Sequence, residues 1–149
     1  MRLLVSGGRH FANESAIERS LDAVHRDHSV SVLIHGGLTG IGPACEGWAR
    51  RNDVHLIRYP ANWSMGKCGD FIRDDFMLSD CRADLLLVFP GGRRTTDMVR
   101  EAQRMNLRVI VANAAGEDPG AGTSDRPTFH AVKLRTAGCG TGMAARATG

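Results

Sequence analysis

The stretch from Asp84 to Val99 limits what this chain can fold into more than any other. It reads Asp-Leu-Leu-Leu-Val-Phe-Pro-Gly-Gly-Arg-Arg-Thr-Thr-Asp-Met-Val. Leu85 to Phe89 is apolar without polar alternation, the pattern of a strand buried on both faces of a parallel sheet. Pro90 ends it, because proline has no N–H to give to a ladder. Gly91 and Gly92 allow a sharp turn and a close backbone approach. Thr95 or Thr96 is the expected cap of a helix that continues through Asp97, Met98 and Val99. A strand, a glycine turn and a helix N-terminus place free amide N–H groups and the positive end of a helix dipole at one spot, which suits an anion. Arg93 and Arg94 stand in that turn. The same residues also fit an ordinary strand-to-helix connection.

The pattern recurs. Leu3 to Val5 predict a first strand, followed by Ser6-Gly7-Gly8-Arg9-His10. Arg9 and the Ser6 hydroxyl could reach a phosphate there, or Arg9 could simply face solvent. Asn13 is the expected cap of a helix that buries Ile17, Leu21 and Val24 and closes at His28, with His25 toward solvent. Val30 to Ile34 predict a second strand, running into His35-Gly36-Gly37-Leu38-Thr39-Gly40-Ile41-Gly42-Pro43. Pro43 suits the first position of a helix carrying Ala44, Cys45, Trp48 and Ala49. Gly37, Gly40 and Gly42 do not reproduce G-x-G-x-x-G. Leu56 to Arg58 stand where an acidic residue is expected about 20 positions on, so an ordinary NAD-dependent dehydrogenase is excluded.

Val54 to Ile57 predict a third strand. Tyr59 to Lys67 read as an irregular loop in which Trp63 and Lys67 could cover a ligand, or Trp63 could pack on the body. A helix from about Cys68 to Asp80 is expected to bury Phe71, Ile72, Phe76 and Met77. Arg73 shares a face with Met77, four residues on, and could enter a pocket or pair weakly with Asp70 or Asp74. The helix after Gly92 is expected to bury Val99, Ala102 and Met105. Leu107 to Ala112 predict a fifth strand. Together these give an open parallel α/β sheet of about five strands with flanking helices, its glycine turns on the carboxyl rim where such sheets bind ligands. Residues 1–113 form the expected domain. Residues 114–149 read as a linker, a short strand within Phe129 to Leu134 and a flexible tail.

Composition narrows the classes further. The chain has 149 residues, 42% of them hydrophobic and 23% charged, which fits a globular domain. A net charge of +3 is too mild to argue for nucleic acid. Cys45, Cys68, Cys81 and Cys139 form no C-x-x-C pair, and the six histidines are scattered, so neither a metal site nor a cofactor is expected. No signal peptide is expected before the strand at Leu3, and no apolar run reaches membrane-spanning length. A reducing, cytoplasmic setting is the expectation.

Five groups of residues carry a resemblance. They are Ser6-Gly7-Gly8-Arg9, His35-Gly36-Gly37 with Gly40, Trp63 with Gly66-Lys67, Arg73 with Met77, and Phe89-Pro90-Gly91-Gly92 with Thr95. In this order they resemble the SLOG superfamily (Smf/DprA and LOG proteins), in particular its YspA/YpsA-related branch, over residues 1 to about 113. The resemblance implies a Rossmann-like fold, a nucleotide or nucleotide-derived ligand such as a nucleoside phosphate or an ADP-ribose-like molecule, and a homodimer or higher homo-oligomer. LOG enzymes split the N-glycosidic bond of nucleoside monophosphates with a P-G-G-x-G-T-x-x-E signature and an arginine on the preceding helix. DprA proteins bind single-stranded DNA.

Pro90, Gly91, Gly92 and Thr95 match that signature, but Arg94 holds its third glycine and Met98 its glutamate. Arg73 matches the helix arginine and is followed by Asp74 where the branch usually has asparagine. Gly42 stands where the branch usually has an acidic residue. The expected ligand contacts are therefore Ser6, Gly7, Gly8, Arg9, Gly36, Gly37, Gly40, Trp63, Lys67, Met77, Pro90, Gly91, Gly92, Arg93, Arg94, Thr95 and Thr96. Binding or sensing needs only these. A hydrolase would also need a carboxylate near the oxocarbenium-like transition state, from Asp97 or Asp74, with Arg73 on the phosphate or leaving group. Arg73 and Asp97 are thus the catalytic candidates if the chain is an enzyme. DNA binding is disfavoured for lack of a basic groove and stacking aromatics.

Overall fold

The computed structural model describes residues 1–37 and 39–112, and the backbone of the short strand His130–Ala131. Five parallel strands run in chain order as β1 (Arg2–Ser6), β2 (Val32–His35), β3 (His55–Arg58), β4 (Leu85–Val88) and β5 (Arg108–Val111). Four helices alternate with them: α1 (Glu14–His28), α2 (Gly42–Arg51), α3 (Gly69–Asp80) and α4 (Arg93–Arg104). The spatial order is β3-β2-β1-β4-β5, and β6 (His130–Ala131) adds to the β5 edge antiparallel. This is a Rossmann-like α/β arrangement. The expected linker and tail lie outside the described residues, β6 apart.

Alternation along the strands builds two cores, since successive side chains point to opposite faces. Leu3, Val5, Leu33, Leu85 and Leu87 pack with Ile17, Leu21 and Val24 of α1 and Cys45 and Trp48 of α2. Leu4, Ile34, Leu86 and Val88 pack on the other face with Met77 and Leu78 of α3 and Met98 and Ala102 of α4. The central strand β4 is fully buried, as its unbroken apolar run requires. Asn13 caps α1, its side chain accepting from the Ala16 N–H at 3.1 Å.

Several local expectations are corrected. Phe71, Ile72 and Phe76 are exposed rather than buried, and α3 packs through Met77 and Leu78 instead. The reason is that the inner face of α3 carries Asp70, Arg73 and Asp74 and closes over the rim of the sheet, so one polar stripe faces inward. Neither Thr95 nor Thr96 caps α4; Gly92 holds the cap position, without a side-chain bond, and Arg93 and Arg94 already belong to the first turn. Met105 is exposed, because α4 ends at Arg104 and Met98 fills the core from about two turns earlier. His25 does not point freely to solvent but meets Trp48 edge-on with 5.4 Å between ring centres. The stretch after β3 is regular in part, a 3₁₀ segment from Trp63 to Cys68 broken at Gly66. Cys68 is exposed, unlike Cys45 and Cys81.

The glycine turns are stitched to one another at the β1/β4 boundary, where the strand order of the parallel sheet reverses. Gly8 N–H donates to the Pro90 carbonyl at 2.9 Å. A Cβ on Gly42 would lie 2.0 Å from the Gly37 carbonyl oxygen, so the start of α2 sits directly on the β2 turn. Gly42→Ala forces these two backbones apart and should lower stability by about 1–3 kcal/mol. Urea unfolding of the variant checks this, and an unchanged midpoint would contradict the packing described.

Candidate functional site

The turns after β1, β2 and β4 and the inner face of α3 enclose a cavity of about 400 Å³ at the carboxyl rim. It lies at the β1/β4 switch point, where connections leave in opposite directions and open a crevice. Ser6, Gly7, Gly8, Arg9, Gly36, Gly37, Arg73, Met77, Gly92, Arg93, Arg94 and Thr95 all line it. The lining also includes Asp74, the alternative carboxylate, and His10, Thr39, Ile41 and Asp70, which the sequence did not single out as contacts.

Other candidates lie elsewhere. Gly40 shapes the wall from behind: its φ of +67° and the nearness of the Gly8 carbonyl demand glycine. Pro90 and Gly91 support the turn; a Cβ on Gly91 would meet Thr95 Oγ1 and the Gly8 nitrogen. Trp63 is exposed and outside the lining, as is Thr96. Lys67 belongs to the 3₁₀ segment Trp63–Cys68. Asp97 faces a separate cavity between α3 and α4 and pairs with Arg100 at 3.2 Å and Arg93 at 3.9 Å. Met98, in the signature's glutamate position, is only 6% exposed and belongs to the core.

Charge in the rim cavity is organised around two aspartates. Asp70 Oδ2 accepts from Arg9 Nη2 at 2.7 Å and lies 2.7 Å from Arg94 Nη1. Its Oδ1 is 3.5 Å from Arg73 Nη2. Asp74 accepts from Arg73 Nε at 2.7 Å and pairs with Arg94. Arg73 is further fixed by donating to the Tyr59 carbonyl at 3.1 Å. Its guanidinium lies across Gly36, where a Cβ would be 2.6 Å from Arg73 Cζ. Burial works against the charge on Arg94, but Asp74 and Asp70 outweigh it and push its pKa up, so Arg94 stays cationic. Four arginines against two aspartates leave the lining with an excess of positive charge.

Below the β2 turn lies His35. It is fully buried, and neither ring nitrogen has a hydrogen-bond partner among the described residues. Burial holds its pKa below the ordinary 6.5, against the opposing pull of Glu46. The Glu46 carboxylate is 3.5 Å from Nε2 and also pairs with Arg58. Burial likewise pushes the Cys45 thiol up to about 12, which removes it as a nucleophile at neutral pH. Among the described residues no cluster of His, Cys, Asp and Glu is arranged to hold a metal ion, and no helix is long and apolar enough to cross a membrane.

Fold and cavity together define a Rossmann-like domain whose ligand crevice is lined by glycine turns and arginines. Comparison with known proteins makes this more specific. Residues 1–66 match the model of the YspA, cpYpsA-related SLOG family. The Gene 61 protein of Mycobacterium phage D29 is 30% identical over 118 residues, spanning 73% of this chain and 94% of the phage protein. The chain belongs to the YspA, cpYpsA-related SLOG family.

The depressed His35 pKa has a consequence for stability. The unfolded chain takes up the imidazole proton at the ordinary value, before the folded chain does. The contribution of neutral His35 is therefore complete above that value and declines as pH falls toward the lowered one. His35→Gln should flatten the loss of stability between about pH 7.5 and about pH 5.5. Denaturant titrations of both proteins across that window check it, and parallel slopes would contradict it.

Proposed function

We propose that the rim cavity binds a nucleotide or nucleotide-derived ligand through its phosphate. The observation that carries this is the contrast among the rim glycines. Gly7, Gly8, Gly36, Gly40, Gly42 and Gly91 are glycine because the protein's own atoms crowd them. Gly37 and Gly92 are not: a Cβ would meet nothing at Gly92 and only ordinary contacts, at 3.7 Å or more, at Gly37. Neither has a positive φ. Both line the cavity. Open glycines on a rim, one of them at the cap of α4, leave backbone N–H groups accessible to an anion. Arg9, Arg93 and Arg94 supply the charge, and arginine's planar fork suits a phosphate. Membership of the family agrees with nucleotide-related binding or a glycosidase-like activity.

Binding is favoured over N-glycosidic hydrolysis by where the carboxylates lie. Met98 is in the core, and Asp97 faces a different cavity. Asp74 does line the rim, but both its oxygens are engaged by Arg73 and Arg94. A carboxylate so paired is a weaker stabiliser of a developing cation than a free one, since its charge is already balanced.

Calorimetric titration with AMP, ADP-ribose and adenosine tests the proposal. A phosphate-bearing ligand should bind at least about tenfold tighter than adenosine, a difference of ~1.4 kcal/mol. Arg9→Ala should remove most of that margin. Equal affinity for adenosine and the phosphorylated probes, or no binding of AMP and ADP-ribose, would contradict it.

A further inference from the structure

A second cavity, of about 200 Å³, lies beside the rim site between α3 and α4. Its floor is apolar, made by Phe71, Leu78 and Met98, and its edge carries charges of both signs. Two residues, Asp74 and Arg94, line both cavities. They are ion-paired to each other, and Arg94 is held from the rim side by Asp70 at 2.7 Å. The residues shared by the two spaces are thus one guanidinium and one of the two carboxylates that clamp it.

We propose that Arg94 selects ligands by length: its side chain walls the rim cavity off from the α3/α4 cavity and restricts the site to a mononucleotide-sized ligand. This rests on the nucleotide reading of the rim cavity. The rim cavity alone lies at the low end of the roughly 300–1,000 Å³ usual for small-molecule sites. The second cavity would add half as much space again, over a floor suited to a planar ring. A ligand reaching it would have to displace Arg94 from both carboxylates, leaving Asp74 to Arg73 alone and Asp70 to Arg9 and Arg73, which is costly for partly buried charges. Arg94 remains charged because its partners hold its pKa up, so the wall does not dissolve with pH in the ordinary range. Truncating Arg94 removes the wall and joins the two spaces.

Two methionines report the two cavities separately, since Met77 lines the rim cavity and Met98 the second one. The experiment labels methionine methyl groups with ¹³C and follows them by NMR as AMP or ADP-ribose is added to wild type and Arg94→Ala, with Arg94→Gly as a second truncation. In wild type, AMP should shift Met77 alone and bind at least about tenfold tighter than ADP-ribose. In Arg94→Ala, ADP-ribose should shift Met77 and Met98 together, and the preference for AMP should fall at least about tenfold. A Met98 shift by ADP-ribose in wild type, or an unchanged preference in both truncations, would overturn the wall while leaving nucleotide binding intact. If neither nucleotide moves Met77 in any protein, the nucleotide reading fails, and a small neutral nitroxide decides the wall by itself. Stronger broadening of Met98 in the truncations than in wild type supports the partition, and equal broadening overturns it.

Discussion

The carboxylate of Asp70 sits almost out of water among three arginines that come from three different parts of the chain, and the rim site depends on that contact. Arg9 belongs to the turn after β1, Arg73 to α3 itself, and Arg94 to the first turn of α4. Removing any one arginine leaves a shielded negative charge less compensated, so the three segments hold one another in place. The helix α3 covers the crevice with a polar face for this reason. Of the charges on that face, Arg73 compensates part, and Arg9 and Arg94 from the neighbouring segments compensate the rest.

The sheet beneath supplies the geometry that this network needs. The buried run of β4 next to β1 puts two glycine turns side by side, and the Gly8 N–H to Pro90 carbonyl bond locks their relative height. Phe11 stacks on Phe89 with 5.5 Å between ring centres, fixing the exit of β1 against the end of β4. Gly92 and Arg93 at the start of α4 line the same space as Arg9. On the proposed reading, an entering anion would meet this arginine-lined surface and compete with Asp70 and Asp74 for the same guanidinium groups. Affinity in such a site is a difference between two sets of charge-assisted hydrogen bonds, which makes it sensitive to single charges on the wall.

The main architecture was legible because its signals are local. Unbroken apolar runs gave the strands, glycine turns after them gave the rim, and the spacing of Arg73 and Met77 put both on one face of α3, the face that lines the cavity. What escaped is what depends on partners distant in sequence. Phe71, Ile72 and Phe76 read as core because apolar periodicity identifies a stripe but not which stripe faces inward; the Asp70 network on the opposite side decides that. Asp70 itself looked like half of a weak surface pair, since nothing in its neighbourhood foretells that Arg9, 61 positions away, and Arg94 converge on it. Thr95 carried a cap signal but is buried against Gly91, where its hydroxyl packs on the turn. Asp97 is next in sequence to the signature's glutamate position, yet one residue on a helix is a rotation of about 100°, enough to turn it into the other cavity.

The most direct test of the account is mass spectrometry of the purified protein after incubation with a panel of nucleoside monophosphates, ADP-ribose and cyclic ADP-ribose, with bound and free fractions analysed separately. A phosphate-bearing member of the panel should be retained intact in the bound fraction. Release of free base or ribose phosphate, or no retention of any member, would contradict it.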